Sequence, residues 1–470
     1  MISVAIIPID NRPICYDLIG DILSINDDIK LYMPDLSLSG GLYDSSDIEG
    51  VFNFIKNLAD VDYFIISLDT LAYGGLVTSR RTSDSYEIIK NRIEKLKALI
   101  PKKARILAFS SIMRISNNNI NEEEKEYWSV YGKKIFEWSY KTSKKIRKFG
   151  RLKYDYSEFN NDIPSEILKD YIDTRKRNFK INRLYLKMAQ DGFFDTLIFS
   201  KDDCAQYGLN VDEANALEYL IKKDNINNVF IKTGADEIPL TLIARALSEK
   251  NKIKIKPIFV EKDSINLISK YEDISIKNCV EGQLSLANVE ISENPDITFL
   301  INNFKNEQGD LVLGDVINNT DEQIHFPETP YFIADVNNAN GADNKFIEQL
   351  FSKKTDNLYG YCGYNTSANS IGCAILSATV KHIALKNNSY NDTAFKKLQF
   401  IRLLDDWSYQ AKNRKHVRKS SPDFQKGLLE IEPKLNNDAN IISDFLNYYP
   451  EKIKYALPWD RSFEIRIKVC

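Results

Sequence analysis

Mostly apolar runs of five to eight residues recur along this chain. Each is closed by a polar cluster and followed by a segment with helical spacing. Residues 2–9, 62–68, 104–109, 194–199 and 228–232 are such runs, and a short apolar stretch with β-branched content has the pattern of a strand buried on both faces. A weaker strand is expected at 29–33. Further candidates lie at 254–260, 296–302, 331–334 and 358–361, with an alternating terminal strand at 463–469. Apolar spacing predicts helices over 46–58, 86–99, 211–222, 240–248 and 371–385. Ser45 or Ser46 can cap the first, and Pro239 falls in a first turn, where its missing N–H costs nothing. A long charged helical stretch, 121–190, broken near 150–164, precedes the strand at 194, and the chain from about 393 is helical and then irregular.

This alternation predicts an α/β protein with a mainly parallel sheet. With 250–327 taken as an α/β insertion, eight strands remain, the count of a (β/α)8-type barrel. The expected organisation is a barrel-like catalytic domain over 1–392, with a helical insertion at 121–190, and a helical extension with a terminal strand over 393–470. The competing topology is two doubly wound α/β domains split near residue 250.

Composition narrows the function classes. The 470 residues carry a net charge of −3, so there is no electrostatic footprint for nucleic acid. The first residues run straight into a strand pattern without a signal sequence, and no apolar segment approaches the roughly 20 residues that span a bilayer. The six cysteines are scattered, with no C-x-x-C pair. The expectation is a cytoplasmic protein with reduced thiols, a small-molecule or saccharide substrate, and neither nucleic acid nor membrane as partner.

Polar residues cluster where the expected strands end: Asp10, Asn11 and Arg12; Asp69 and Tyr73; Arg114; Asp202 and Asp203; Asp236 and Glu237; Asp335, Asn337, Asn340 and Asp343; Asn365 and Asn369. Any one could be a helix cap or an Asx-turn. In either topology, however, these ends share one face, so the set converges on one cleft. Arg12 and Arg114 would there hold an anionic group bidentately, Arg80 and Arg81 read as solvated surface, and Tyr73-Gly74-Gly75 as a tight turn beside the ligand.

Histidine is nearly absent, with three in the chain, so His-based nucleophile activation and a His-rich metal centre are poor fits. No P-loop and no dinucleotide-binding glycine motif follows a strand. Plentiful carboxylates among Tyr, Trp and Asn suit glycoside hydrolysis, with one carboxylic acid protonating the leaving oxygen and a second working at the anomeric side. No cofactor is required; a divalent cation bound by several Asp oxygens, serving a hydrolase or lyase, is the alternative enzyme. A non-catalytic saccharide-binding protein is the third reading. Asp202 and Asp203 are the expected catalytic pair. Adjacent strand side chains point to opposite faces, so the two share a cleft only if the backbone turns there; repulsion then raises one carboxyl. Glu237 opens a helix, whose amino end would lower its pKa.

Seven segments resemble a bacterial family catalogued only as domain of unknown function 4127: IPIDNRP (7–13), SLDTLAYGGLVTSR (67–80), DDCAQYG (202–208), GADE (234–237), DVNNANGAD (335–343), GYNTSAN (363–369) and LPWDRSFE (457–464). They run in order across nearly the whole chain, and the resemblance implies no activity. The Asp-Asp pair at a strand end, with Asn/Asp-rich segments later, is more weakly similar to the O-GlcNAcase and hyaluronidase-like glycoside hydrolases. That resemblance implies a substrate-assisted mechanism in which Asp202 orients an N-acetyl group, Asp203 is the general acid, and Asn337, Asn340 or Asp343 bind sugar hydroxyls. The chain departs from those enzymes in its IPIDNRP and GADE stretches and lacks a tryptophan-rich sugar shelf.

Overall fold

Six of the apolar runs pair side by side in one parallel sheet: β1 (Ile2–Ile7), β2 (Ile29–Tyr32), β3 (Tyr63–Ser67), β4 (Arg105–Ile112), β5 (Thr196–Lys201) and β6 (Val229–Thr233). Their spatial order is β2-β1-β3-β4-β5-β6. The computed structural model describes residues 1–101, 103–149, 162–312, 314–316 and 323–470. The chain continues through β7 (Lys254–Phe259), β8 (Glu290–Ile291), β9 (Ile297–Asn302), β10 (Gly309–Asp310), β11 (Tyr331–Asp335), β12 (Asn338–Ala339) and β13 (Leu358–Cys362). A second parallel sheet has the order β13-β11-β9-β7-β8, while β10 and β12 pair separately. The terminal strand is shorter than expected: β15 (Arg466–Val469) forms an antiparallel hairpin with β14 (Ile453–Ala456), a partner the pattern did not reveal.

Both sheets are open, and each runs second-first-third-fourth-fifth in its own strand order, the doubly wound arrangement. The expected closed barrel is therefore corrected. The eight strands counted for it divide six and two between the sheets, and 250–327 supplies β7, β8 and β9 of the second. A strand covered by helices on both faces has the same periodicity in a barrel and in an open sheet, so pattern alone cannot assign its neighbours.

Two helices join the sheets. Helix Ile238–Ser248 lies on β3 and β4, and helix Ser367–Asn387 lies on β11 and β13; the two pack against each other. The small residues of the second helix permit this approach: a Cβ at Gly372 would stand 2.5 Å from Glu237 Cγ. One apolar core consequently runs from Ile6, Ile65 and Phe109 through Leu242 and Ile375 to Phe299 and Phe332. The outer faces of the two sheets bury separate clusters, the second against the C-terminal helices.

The helix expected at 86–99 is Tyr86–Leu99, and that at 371–385 extends to Ser367–Asn387. Among the described residues, Ser367–Asn387 is the one helix long and apolar enough to cross a membrane, which the search for apolar segments missed; 89% of its apolar window is buried in the core. The charged 121–190 stretch holds helices Trp128–Phe149 and Ser165–Gln190, and residues 150–161 of its expected break lie outside the described residues.

Candidate functional site

β5 ends at Lys201, and the backbone then turns at Asp203, whose φ is +37°. This is the reversal that adjacent carboxylates need if both are to face one cavity. Asp202 and Asp203 line a cavity of about 420 Å³. The ends of β1, β4, β5 and β6 contribute Arg12, Arg114, Lys201 and Asp236, while Tyr271, Glu272, Asn340 and Asn365 face them from the second sheet's side. Arg414, Arg418, Arg461 and Phe463 arrive from the C-terminal region.

An ion-pair lattice organises these walls. Arg12 hydrogen bonds Asp10 through Nε at 2.9 Å and Nη2 at 2.7 Å, and clamps Asp236 through Nη1 at 2.9 Å and Nη2 at 2.6 Å. Arg114 reaches Glu123 at 2.8 Å, Glu124 at 3.0 Å and Asp203 at 2.9 Å. Arg80 is buried against Glu124 at 3.2 Å and lies 3.9 Å from Asp202, so its reading as solvated surface is corrected. Arg461 pairs with Glu123 at 2.8 Å and with Glu464. The protein's own carboxylates thus occupy Arg12 and Arg114, which the sequence had assigned to an anionic ligand.

Burial, then the Asp202 charge, pushes Asp203 up to about 7, with Arg114 opposing. Burial also raises Asp202 against Arg114 and Arg80. The two carboxyls are close enough to titrate as a pair rather than independently. Asp202 Oδ2 is buried with no hydrogen-bond partner among the described residues. Across the cavity, burial pushes Glu272 up to about 7; its Oε1 accepts from the Ala368 N–H at 3.1 Å, and its Oε2 has no hydrogen-bond partner among the described residues.

Glu237 reverses its expectation. It precedes helix Ile238–Ser248, yet burial outweighs the helix end and pushes it up to about 8. The fully buried carboxyl accepts from Gln283 Nε2 at 2.7 Å, Asn369 Nδ2 at 2.5 Å and the Ala235 N–H at 3.0 Å, tying the end of β6 to helix Ser367–Asn387.

Of the expected site residues, the cavity walls contain Arg12, Arg114, Asp202, Asp203, Asp236, Asn340, Asn365 and Asn369. The others are occupied elsewhere. Asp10 orients Arg12; Asn11 accepts from Trp459 Nε1 at 2.6 Å. Asp69 is buried, accepting from Ser110 Oγ at 2.8 Å and the Ser111 N–H at 2.7 Å. Tyr73 is buried outside the cavity walls, and Gly74, at φ +88°, closes against Ser45 rather than beside a ligand. Asp335 accepts from Asn302 Nδ2 at 2.8 Å, Asn337 donates to Asp343 Oδ2 at 2.7 Å, and Asp343 caps helix Asn344–Phe351.

Sequence reasoning missed Glu122, Glu123, Glu272, Arg414, Arg418 and Arg461 as wall residues. The LPWDRSFE segment carries Arg461 and Phe463, and the Glu122-Glu123-Glu124 run was visible as charge; the others carried no signal. Among the described residues, no group of three or more His, Cys, Asp or Glu side chains is arranged to hold a metal ion. The site offers instead a carboxyl raised to about 7 beside a second, half-buried one, in a wall where Arg12, Arg114 and Arg461 are already paired.

Comparison with curated proteins and with solved structures yields no match. The family model described as "Protein of unknown function (DUF4127)" matches residues 4–468, and the chain belongs to that family.

Proposed function

We propose that the cleft is the active site of a glycoside hydrolase acting on a small polar saccharide, with Asp203 as general acid and Asp202 as its ionised neighbour. The observation that carries this reading is Asp203, held near 7 beside a second carboxylate, both facing a cavity of about 420 Å³. A carboxyl near 7 still carries its proton in about half the molecules at neutral pH, and that form can deliver it to a leaving oxygen. The cavity falls within the roughly 300–1,000 Å³ of small-molecule sites.

The test is turnover of a panel of aryl glycosides and N-acetyl glycosides by wild type and by Asp203→Asn. The substitution should lower kcat by about 10²–10⁴-fold while leaving the melting temperature within a few degrees. An unchanged rate on a substrate the wild type cleaves would sink the assignment of Asp203. Saturable saccharide binding without any product would make the protein a binding module instead.

A further inference from the structure

Among the described residues six arginines are buried: Arg12, Arg80, Arg175, Arg402, Arg414 and Arg461. Five are ion-paired, Arg175 with Glu213 and Arg402 with Asp405 among them. Arg414 is the exception among the described residues. It is 6% exposed, and its guanidinium makes one hydrogen bond, from Nη1 to Gln410 Oε1 at 3.1 Å. Beneath it lies the Phe463 ring, 4.4 Å from the guanidinium carbon to the centroid. Gln410 is itself oriented, its Nε2 donating to Asp405 and to the Phe463 carbonyl, both at 3.1 Å.

Arg414 lines both the main cavity and a side cavity of about 30 Å³ that adjoins it. The carboxylates of the side cavity are already engaged: Asp236 by Arg12, Asp405 by Arg402 and Glu464 by Arg461. Glu464 and Tyr409 favour the charge on Arg414, whereas Arg418 and Arg461 oppose it; with burial as the largest cause, its pKa falls to about 10. Arg418, one turn further on and exposed, lines the same cavity and makes no ion pair among the described residues. A buried cation without a counter-charge is costly unless something supplies one.

We propose that Arg414, with Arg418, forms an oxyanion subsite of the cleft that takes a phosphoryl, sulfuryl or carboxylate group of the ligand. A guanidinium fixed by Gln410 and stacked on Phe463 presents its remaining N–H groups as a fork, the geometry that matches two oxygens of one anion. The substrate class is then an anionic saccharide rather than a neutral one. This refinement rests on the cleft reading for the saccharide, but not on the reaction.

The experiment is calorimetric titration of the full-length protein with inorganic phosphate, sulfate and acetate, each against chloride at equal ionic strength. Wild type should bind at least one of them saturably. A stronger response to phosphate or sulfate assigns a tetrahedral group, and a stronger response to acetate a carboxylate. Arg414→Met should weaken that binding about tenfold or more, and Arg418→Gln by a smaller factor. Arg414→Lys keeps the charge but loses the fork, and should also weaken it should the Met variant not fold. Wild type that distinguishes none of the three anions from chloride overturns the proposal, as does undiminished binding by folded Arg414 variants. No turnover enters the measurement. Failure of the hydrolase assay and failure of the subsite are thus separate results.

Discussion

At the scale of single residues, Asp203 owes its raised pKa to burial and to Asp202, and its restraint to Arg114. The pair and its place at a strand end were legible in the chain. The Arg114 contact was not, because it spans 89 positions in sequence and is set by the pairing of β4 with β5. If Asp203 is the general acid, it works only while protonated. The rate kcat/KM should therefore fall as pH rises through about 7, and Arg114→Gln, by removing the opposing cation, should move that falling limb to higher pH. A pH–rate profile of both proteins checks the direction. Glu237 and Asp335, each pushed up to about 8 by burial, act on stability with a definite sign. In the folded state they keep protons that the unfolded chain releases near pH 4. Their contribution is therefore full below about pH 4 and is lost as pH rises toward about 8. The melting temperature of Glu237→Gln should fall less steeply across that window than that of wild type.

At the scale of elements, helices and strands were more legible than the connections that build the site. The Pro239 position and the Tyr86–Leu99 helix followed from local patterning. The Glu122-Glu123-Glu124 run looked like the charged start of a long helix. It instead pairs with Arg114 and Arg80, which precede it by 10 and 44 positions, and with Arg461 near the other end of the chain. Nothing in local propensity encodes such a reach; it depends on where two sheet ends and the C-terminal segment come to lie. The arginines hold Glu123 well below its ordinary pKa even though burial opposes them. Glu123→Ala takes one partner from each of Arg80, Arg114 and Arg461, which keep Glu124, Glu124 with Asp203, and Glu464 respectively. The expected loss is about 1–3 kcal/mol by denaturant unfolding. Glu281→Ala, on the half-exposed face of helix Ile276–Leu286, should change stability by less than about 1 kcal/mol and serves as the comparison.

At the scale of the whole molecule, the α/β class was legible and the sheet count was not. The strands of both sheets pair in parallel, and the central ones, such as β3 and β11, are buried along their whole length, so these read alike until the hydrogen-bonded neighbour is known. The core that spans both sheets has a thermodynamic consequence. Calorimetry should show one unfolding transition rather than two, and Ile243→Ala, in the helix between the sheets, should lower that single transition by about 2–5 kcal/mol rather than split it. The same shared layer also constrains how the protein is made. Helix Ile238–Ser248 is buried at every position except Arg245, and one of the surfaces that cover it, helix Ser367–Asn387, lies more than a hundred residues downstream. A growing chain on the ribosome has therefore finished its first sheet long before that apolar face can be covered. During that interval it is the nascent polypeptide, not the finished protein, that is most exposed to aggregation.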